Sequence, residues 1–339
     1  MKLFAFLLFI VSIPLAQQPN YSPPGKLVDI GGYKLHLDCT GKDGPTVVLI
    51  AGSGDFSFDW NLVQPDIARF TTVCSYDRAG LAWSDPGPTP RTMRQDAHEL
   101  HLLLKAAHVK APYVLVGHSL GGLIARVYAE EFPSEVAGML LVDPTHEDTV
   151  LSFQGKLVRI REFAKGKPVP SAQTMKTSPP KPPTKEDLDQ FELNQKNFGP
   201  PKISRPFDKL PAHAQAMGLW ARSQPPRAAG GEDFWSEELQ VMHATRARSP
   251  YQLGNRPLVI LLPKPGYGRT PTGISDEEWK RFNEEKRQQK LDLVSLSHNN
   301  KVIVAENSGH HIQLDEPQVV TEAIRLVVDS IRRRTKLSP

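Results

Sequence analysis

Short apolar runs recur along this chain between segments whose apolar residues repeat every three or four positions, and that alternation leaves few folds open. Thr46–Ala51 reads Thr-Val-Val-Leu-Ile-Ala, the pattern of a parallel strand covered on both faces. Tyr33–Asp38 alternates instead, as a strand with one exposed face does. Thr71–Tyr76, Tyr113–Val116, Val136–Val142, Pro257–Leu262 and Lys301–Ala305 are further strand signals. Between them, Thr92–His108 carries Met93, Ala97, Leu100 and Leu104 at helical spacing. Stretches of about Leu120–Phe132, Asp276–Leu296 and Pro317–Arg333 also read as helices, the last with Pro317 in the first turn, where its missing N–H costs nothing. Strand alternating with helix predicts an α/β fold, a parallel sheet with helices on both faces.

The pattern stops near Pro144 and resumes at Pro257. Within the gap, Lys167–Pro183 is proline-rich and reads as an extended connection, while Val150–Ala164 and Asp233–Arg246 are expected to be helical. An insertion between two strands of one sheet is expected to form a lid over the carboxyl edge. The chain thus divides into a first core part (26–144), a lid (145–250) and a second core part (251–334). Ahead of these, Lys2 precedes the apolar run Leu3–Ala16, shorter than the ~20 residues a membrane-spanning helix needs. It reads as a signal peptide over residues 1–16, with retention as an uncleaved membrane anchor the alternative, and export to a periplasmic or extracellular location is expected.

Hydrophobic residues make up 39% of the chain and charged ones 23%, as in soluble globular proteins. The net charge of +4 comes without a basic run interleaved with aromatics, so no nucleic-acid partner is expected. Arg332-Arg333-Arg334 with Lys336 reads as a solvated helix end. No zinc-ligand spacing and no His-Glu-x-x-His occurs, so neither metal nor cofactor is expected. The partner expected is a small-molecule substrate.

Gly117-His118-Ser119-Leu120-Gly121 matches Gly-x-Ser-x-Gly between a strand and a helix. That context puts Ser119 on a sharp turn, with small neighbours to permit it and a helix N-terminus to favour developing negative charge. Val47-Val48-Leu49-Ile50-Ala51-Gly52, Tyr76-Asp77-Arg78-Ala79-Gly80, Gly117–Gly122 and Ser308-Gly309-His310 follow one another along the chain. With these segments the chain resembles the α/β-hydrolase fold superfamily, in its branch with Ser-His-Asp triads, from about Lys26 to Arg333 apart from the insertion. The resemblance implies a mostly parallel eight-stranded sheet with helices on both faces and an inserted lid, and Ser119 as nucleophile.

A serine hydroxyl needs a base, and the resemblance favours His310, directly after the glycine, over His311. His118 reads as a packing residue, and His98, His101 and His108 as ordinary surface or packing residues. In most relatives the acid follows the strand at Pro257–Leu262, yet Pro263–Ser275 contains neither Asp nor Glu. Asp143, ending the strand after the nucleophile helix, is therefore the expected acid, with Glu147, Asp148 and Asp276 as fallbacks. The oxyanion hole is expected from the backbone N–H of Leu120 and of Ser53, or else Gly52. Tyr76-Asp77-Arg78 is expected to be a polar turn supporting the carboxyl edge. Cys39 and Cys74, the two cysteines, fall on strands that are neighbours in the superfamily sheet, so the resemblance permits a disulfide. Ester cleavage through an acyl-enzyme is the leading expectation. A lactonase, thioesterase, amidase or acyltransferase on the same triad, or a non-catalytic ligand-binding protein of the same fold, are the rivals. Phe153, Phe163, Phe191, Phe207, Trp220 and Phe234 either face an apolar substrate group or form the lid's own core.

Overall fold

The computed structural model describes residues 21–153, 156–170, 180–229, 233–266 and 275–337. The apolar run Leu3–Ala16 lies outside them, as do parts of Lys167–Pro183 and Pro263–Ser275. Among the described residues no helix is long and apolar enough to cross a membrane.

Eight strands form one sheet: β1 (Lys26–Asp29), β2 (Lys34–Thr40), β3 (Thr46–Ile50), β4 (Val73–Tyr76), β5 (Tyr113–His118), β6 (Val136–Val142), β9 (Leu258–Pro263) and β10 (Asn300–Ala305), in the order β1-β2-β4-β3-β5-β6-β9-β10. β1 and β2 run antiparallel to their neighbours, and every pairing from β4 to β10 is parallel. β7 (Val150–Phe153) and β8 (Lys156–Arg159) make a separate antiparallel pair. The helices are α1 (Gln64–Ile67), α2 (Met93–Ala106), α3 (Leu120–Glu131), α4 (Lys185–Phe198), α5 (Ala212–Ser223), α6 (Trp235–Arg248), α7 (Asp276–Asp292), α8 (Ile312–Asp315) and α9 (Pro317–Arg333).

The continuous apolar strands feed two cores by period-two alternation. Val48, Ile50, Leu115, Met139, Leu141 and Ile260 enter the layer under α2 and α3. Their neighbours Val47, Leu49, Val114, Val116, Leu140 and Val259 enter the layer under α9, where Val320, Ile324, Val327 and Val328 meet them. Each such fully buried side chain contributes roughly 1.5–3 kcal/mol of transfer free energy. Helix starts follow local chemistry: the Thr92 hydroxyl accepts the Gln95 N–H at α2, and Ser275 with Glu278 forms a reciprocal cap at α7.

Val150–Ala164, expected to be helical, is instead the β7–β8 pair followed by a short 3-10 turn at Ile160–Phe163. Val150 pairs with Arg159 and Leu151 with Val158, and Asp148 draws Arg159 and Arg161 together at 2.7 and 2.5 Å. Apolar spacing alone did not separate helix from strand over so short a run. α6 occupies the region of the second expected helix, whereas α4 and α5 had no strong periodic signal. α5 is seated on the core by a third apolar cluster, in which Leu210, Ala214 and Met217 pack with Phe56, Phe58 and Trp83.

Cys39 and Cys74 are directly paired between β2 and β4 and joined by a disulfide. All parallel strands point their carboxyl ends to one edge, where β3, β5, β6 and β10 release the segments that build the site.

Candidate active site

Ser119 sits between β5 and α3 with φ 52° and ψ −117°, backbone that a residue with a side chain adopts only under constraint from its surroundings. Here the Ser119 N–H donates to Val142 O at 3.1 Å, and the Ser119 carbonyl accepts from Gly122 and Thr145, both at 3.0 Å. The turn also needs missing side chains. A Cβ on Gly117 would lie 2.4 Å from Gly121 O, and one on Gly121 would lie 2.2 Å from Ile50 O. Asp143, at the end of the adjacent β6, has φ 37° as well, with its N–H held by Leu261 O at 2.8 Å.

Asp143 Oδ2 lies 2.6 Å from His310 Nδ1, and Asp143 Oδ1 accepts from the Lys290 ammonium on α7. Burial would raise the Asp143 carboxyl, but Lys290 and the hydrogen bond to His310 outweigh it and hold the group well below the usual carboxylate range. The His310 side chain is 49% exposed. Partial withdrawal from water, with His118 and His311 pushing the same way, lowers its imidazolium pKa against the opposing pull of Asp143. His310 is therefore a neutral imidazole at neutral pH. Ser119, Asp143 and His310 line one cavity of about 110 Å³, together with Lys286 and Lys290. No hydrogen bond joins the Ser119 and His310 side chains directly. Such contacts are often long without substrate and tighten in the complex.

The fallback carboxylates are engaged elsewhere. Glu147 is buried between Arg126, at 2.6 Å, and Arg246; Asp148 holds Arg159 and Arg161; Asp276 is exposed in the first turn of α7. His311 does not reach Asp143. Its Nε2 lies 3.7 Å from Asp55 Oδ1. His118 is fully buried, with Nδ1 3.1 Å from Asp55 Oδ2 and Nε2 2.9 Å from the His310 carbonyl. It braces the segment carrying His310. Asp55, His118 and His311 also bring three ligand atoms within 4.8 Å of one another, an arrangement able to hold a metal ion. Because these residues come from three separate segments of the chain, no local spacing announces them.

The loop after β3 lies against the start of α3, since Gly121 approaches both Ile50 O and Ala51 O. Leu120 opens α3, where the first N–H groups lack intrahelical partners. Gly52 is buried and Ser53 exposed. Arg78, from the polar turn after β4, donates to Ala51 O and Gly52 O, both at 2.6 Å, and so clamps this loop.

A model of the alpha/beta hydrolase family matches residues 47–323. The chain belongs to that family. The hydrolase is 28% identical over 300 residues to the uncharacterized protein YqjL of Bacillus subtilis (strain 168), covering 88% of this chain and 90% of that one. Among solved structures it resembles a thermophilic esterase from Thermogutta terrifontis at a TM-score of 0.55 and 17% identity, covering 89% of this chain and 94% of that one. It also resembles the enol-lactonase from Burkholderia xenovorans LB400, at a TM-score of 0.56 and 13% identity, covering 88% and 98%. At these identities the two structures speak for the fold alone.

Two features of the hydrolase's site escaped the sequence reading. Asp55 carried no recognisable motif. Lys286 and Lys290 did have a signal, because four residues apart on a helix they share one face, but nothing in the sequence says which face of the polar α7 looks at the site.

Proposed function

We propose that this hydrolase cleaves an ester-like bond by acyl transfer through Ser119. The observation that carries the reading is the Asp143–His310 hydrogen bond at the wall of the cavity that Ser119 also lines. His310 Nε2 takes the hydroxyl proton while Ser119 Oγ bonds to the carbonyl carbon, and the carbonyl electron pair moves onto its oxygen. The backbone N–H of Leu120 and that of Ser53 or Gly52 receive this charge, a contribution worth about 10²–10³ in turnover per donor. When the tetrahedral species collapses, the bond to the alcohol breaks and His310 returns the proton to the departing oxygen. Water then repeats the sequence, releasing the acid and restoring Ser119. Asp143 keeps the proton on Nδ1 throughout and stabilises the imidazolium that forms.

On the same reading the segment 145–250 is a lid, supported by the seating of α5 on Phe56, Phe58 and Trp83 beside the oxyanion loop. The Cys39–Cys74 disulfide, together with the apolar run Leu3–Ala16, supports a location outside the reducing cytosol. The test is a fluorophosphonate probe followed by an ester panel. Wild type should be labelled at residue 119 and turn over esters, and Ser119→Ala should do neither. Labelling unchanged in Ser119→Ala, or ester turnover surviving in it, would overturn the proposal.

A further inference from the structure

Helix α7 brings Lys286 and Lys290, one turn apart, to the cavity that holds Ser119 and His310. The same two lysines, with Asp143 and His310, also line a larger neighbouring cavity of about 770 Å³ between the end of β9 and α7. Lys290 is committed to Asp143. Lys286 makes no ion pair among the described residues, and its ammonium lies 5.0 Å from the centroid of the Phe282 ring. The other charges around the larger cavity are answered or peripheral. Lys264 faces Glu306 at 3.6 Å, Arg287 donates to Pro263 O at 3.4 Å, the exposed Glu284 accepts from the Gln288 side chain at 2.7 Å, and Asp276 and Lys280 are exposed near the start of the helix.

Two ammonium groups therefore stand beside the candidate nucleophile, and of the two only Lys290 is paired, with Asp143. Burial and the charge of Lys290 push the Lys286 amine below its usual range, with Asp143 pulling the other way. An arriving anion would relieve that penalty. A half-buried cation with no ion-pair partner among the described residues, beside a cavity whose wall mixes Leu262, Pro263, Trp279 and Phe282 with polar and charged side chains, suits a ligand with one acidic group and a partly apolar body.

We propose that the substrate carries a carboxylate a few atoms from its scissile carbonyl, and that Lys286 pairs with it. This rests on the acyl-transfer reading above, in that the recognised molecule is the one Ser119 attacks. The carboxylate can belong to the acyl half or to the alcohol half, and the chemistry at Lys286 is the same.

Calorimetry on the Ser119→Ala variant separates this question from catalysis. Monomethyl glutarate carries the charge on the acyl half and 4-acetoxybutyrate on the alcohol half; dimethyl glutarate and methyl 4-acetoxybutyrate are their neutral partners. At least one charged ester should bind about ten-fold or more tighter than its neutral partner, the discrimination should vanish in Ser119→Ala/Lys286→Met, and Lys286→Arg should retain most of it. Equal affinity within both pairs, no binding by either charged ester, or discrimination that survives Lys286→Met would overturn the proposal. In the active enzyme, Lys286→Met should lower kcat/KM at least about ten-fold for the preferred charged ester, while changing the neutral one by less than about three-fold. An equal loss on both would mean a structural role and count against it. Failure of Ser119 labelling would defeat the hydrolase reading alone, because the binding arm does not use the hydroxyl.

Discussion

Asp143 meets His310 and Lys290 at once, its Oδ2 lying 2.6 Å from the imidazole Nδ1 while Oδ1 takes the ammonium of Lys290. One carboxylate thus orients the candidate base and anchors α7 to the sheet edge. Asp143→Asn should keep the fold and lower kcat by about 10³–10⁴, because the amide favours the wrong tautomer of His310. Lys290→Met should act mainly on stability, since it leaves a buried carboxylate oxygen without its partner, at a cost of about 1–3 kcal/mol. Ester kinetics with thermal melts check both. A kcat for Asp143→Asn within ten-fold of wild type would remove Asp143 from the mechanism.

The pH profile follows from the His310 environment. The base works as neutral imidazole, and its pKa is lowered from the ordinary 6.5. Protonation therefore silences it only at more acidic pH, and the acid limb of kcat/KM should fall below about 6.5. His118 and His311 add to that lowering electrostatically, so His311→Gln should move the acid limb upward. A limb unmoved by this change would show that His311 does not act on His310.

Gly52 is required by its neighbours rather than by its own torsion angles. A Cβ there would stand 2.7 Å from Asp55 Oδ2 and 2.8 Å from His118 Nδ1, both on buried side chains bonded to each other. Gly52→Ala should cost about 1–3 kcal/mol in stability through overpacking. It should also lower kcat more than it raises KM, because the displaced loop is the one proposed to bind the oxyanion. Wild-type kcat and melting temperature in this variant would show that the loop adapts freely.

The disulfide closes a loop of 35 residues between β2 and β4. By the chain-entropy argument such a loop contributes about 3–4 kcal/mol. Intact mass after alkylation without reductant should show no modified cysteine, and a reducing agent should lower the melting temperature by several degrees. Full alkylation of both cysteines under native conditions would mean that they are free thiols.

The sheet was legible because the inner parallel strands β3, β5, β6 and β9 are nearly continuous apolar runs, and both Val136–Val142 and the helix Pro317–Arg333 emerge with the bounds the pattern implies. Which carboxylate stands beside His310 was harder to read, because Asp143, Glu147 and Asp148 lie within one short stretch. Only the approach of Arg126 and Arg246 to Glu147, and of Arg159 and Arg161 to Asp148, separates them. Those partners come from β8, the 3-10 turn after it, α3 and α6, and no periodicity states their meeting. Val150–Ala164 was misread because its apolar residues fit either period over so short a run. The cavity-facing side of α7 was hidden because a polar helix has no apolar stripe to declare which face is inward.

Glu238 of α6 gives a last test, of how the inserted segment is tied to the core. Its carboxyl accepts the N–H groups of Met93 and Arg94 at 2.8 and 3.1 Å, capping α2 from another element. Burial nevertheless dominates, and the group is pushed up to about 7 from its ordinary 4.5. Between those values the folded protein keeps a proton that the unfolded chain has released. The contribution of this group to stability is thus full below about pH 4.5 and is lost as pH rises toward 7. Glu238→Gln cannot ionise, but its one amide oxygen can accept only one of the two N–H groups. The variant should therefore start below wild type near pH 5 and gain on it by on the order of 1–3 kcal/mol, or about 2–6 °C in melting temperature, by pH 8. A difference that stays constant across that range would mean that the two N–H groups, not burial, govern the carboxyl.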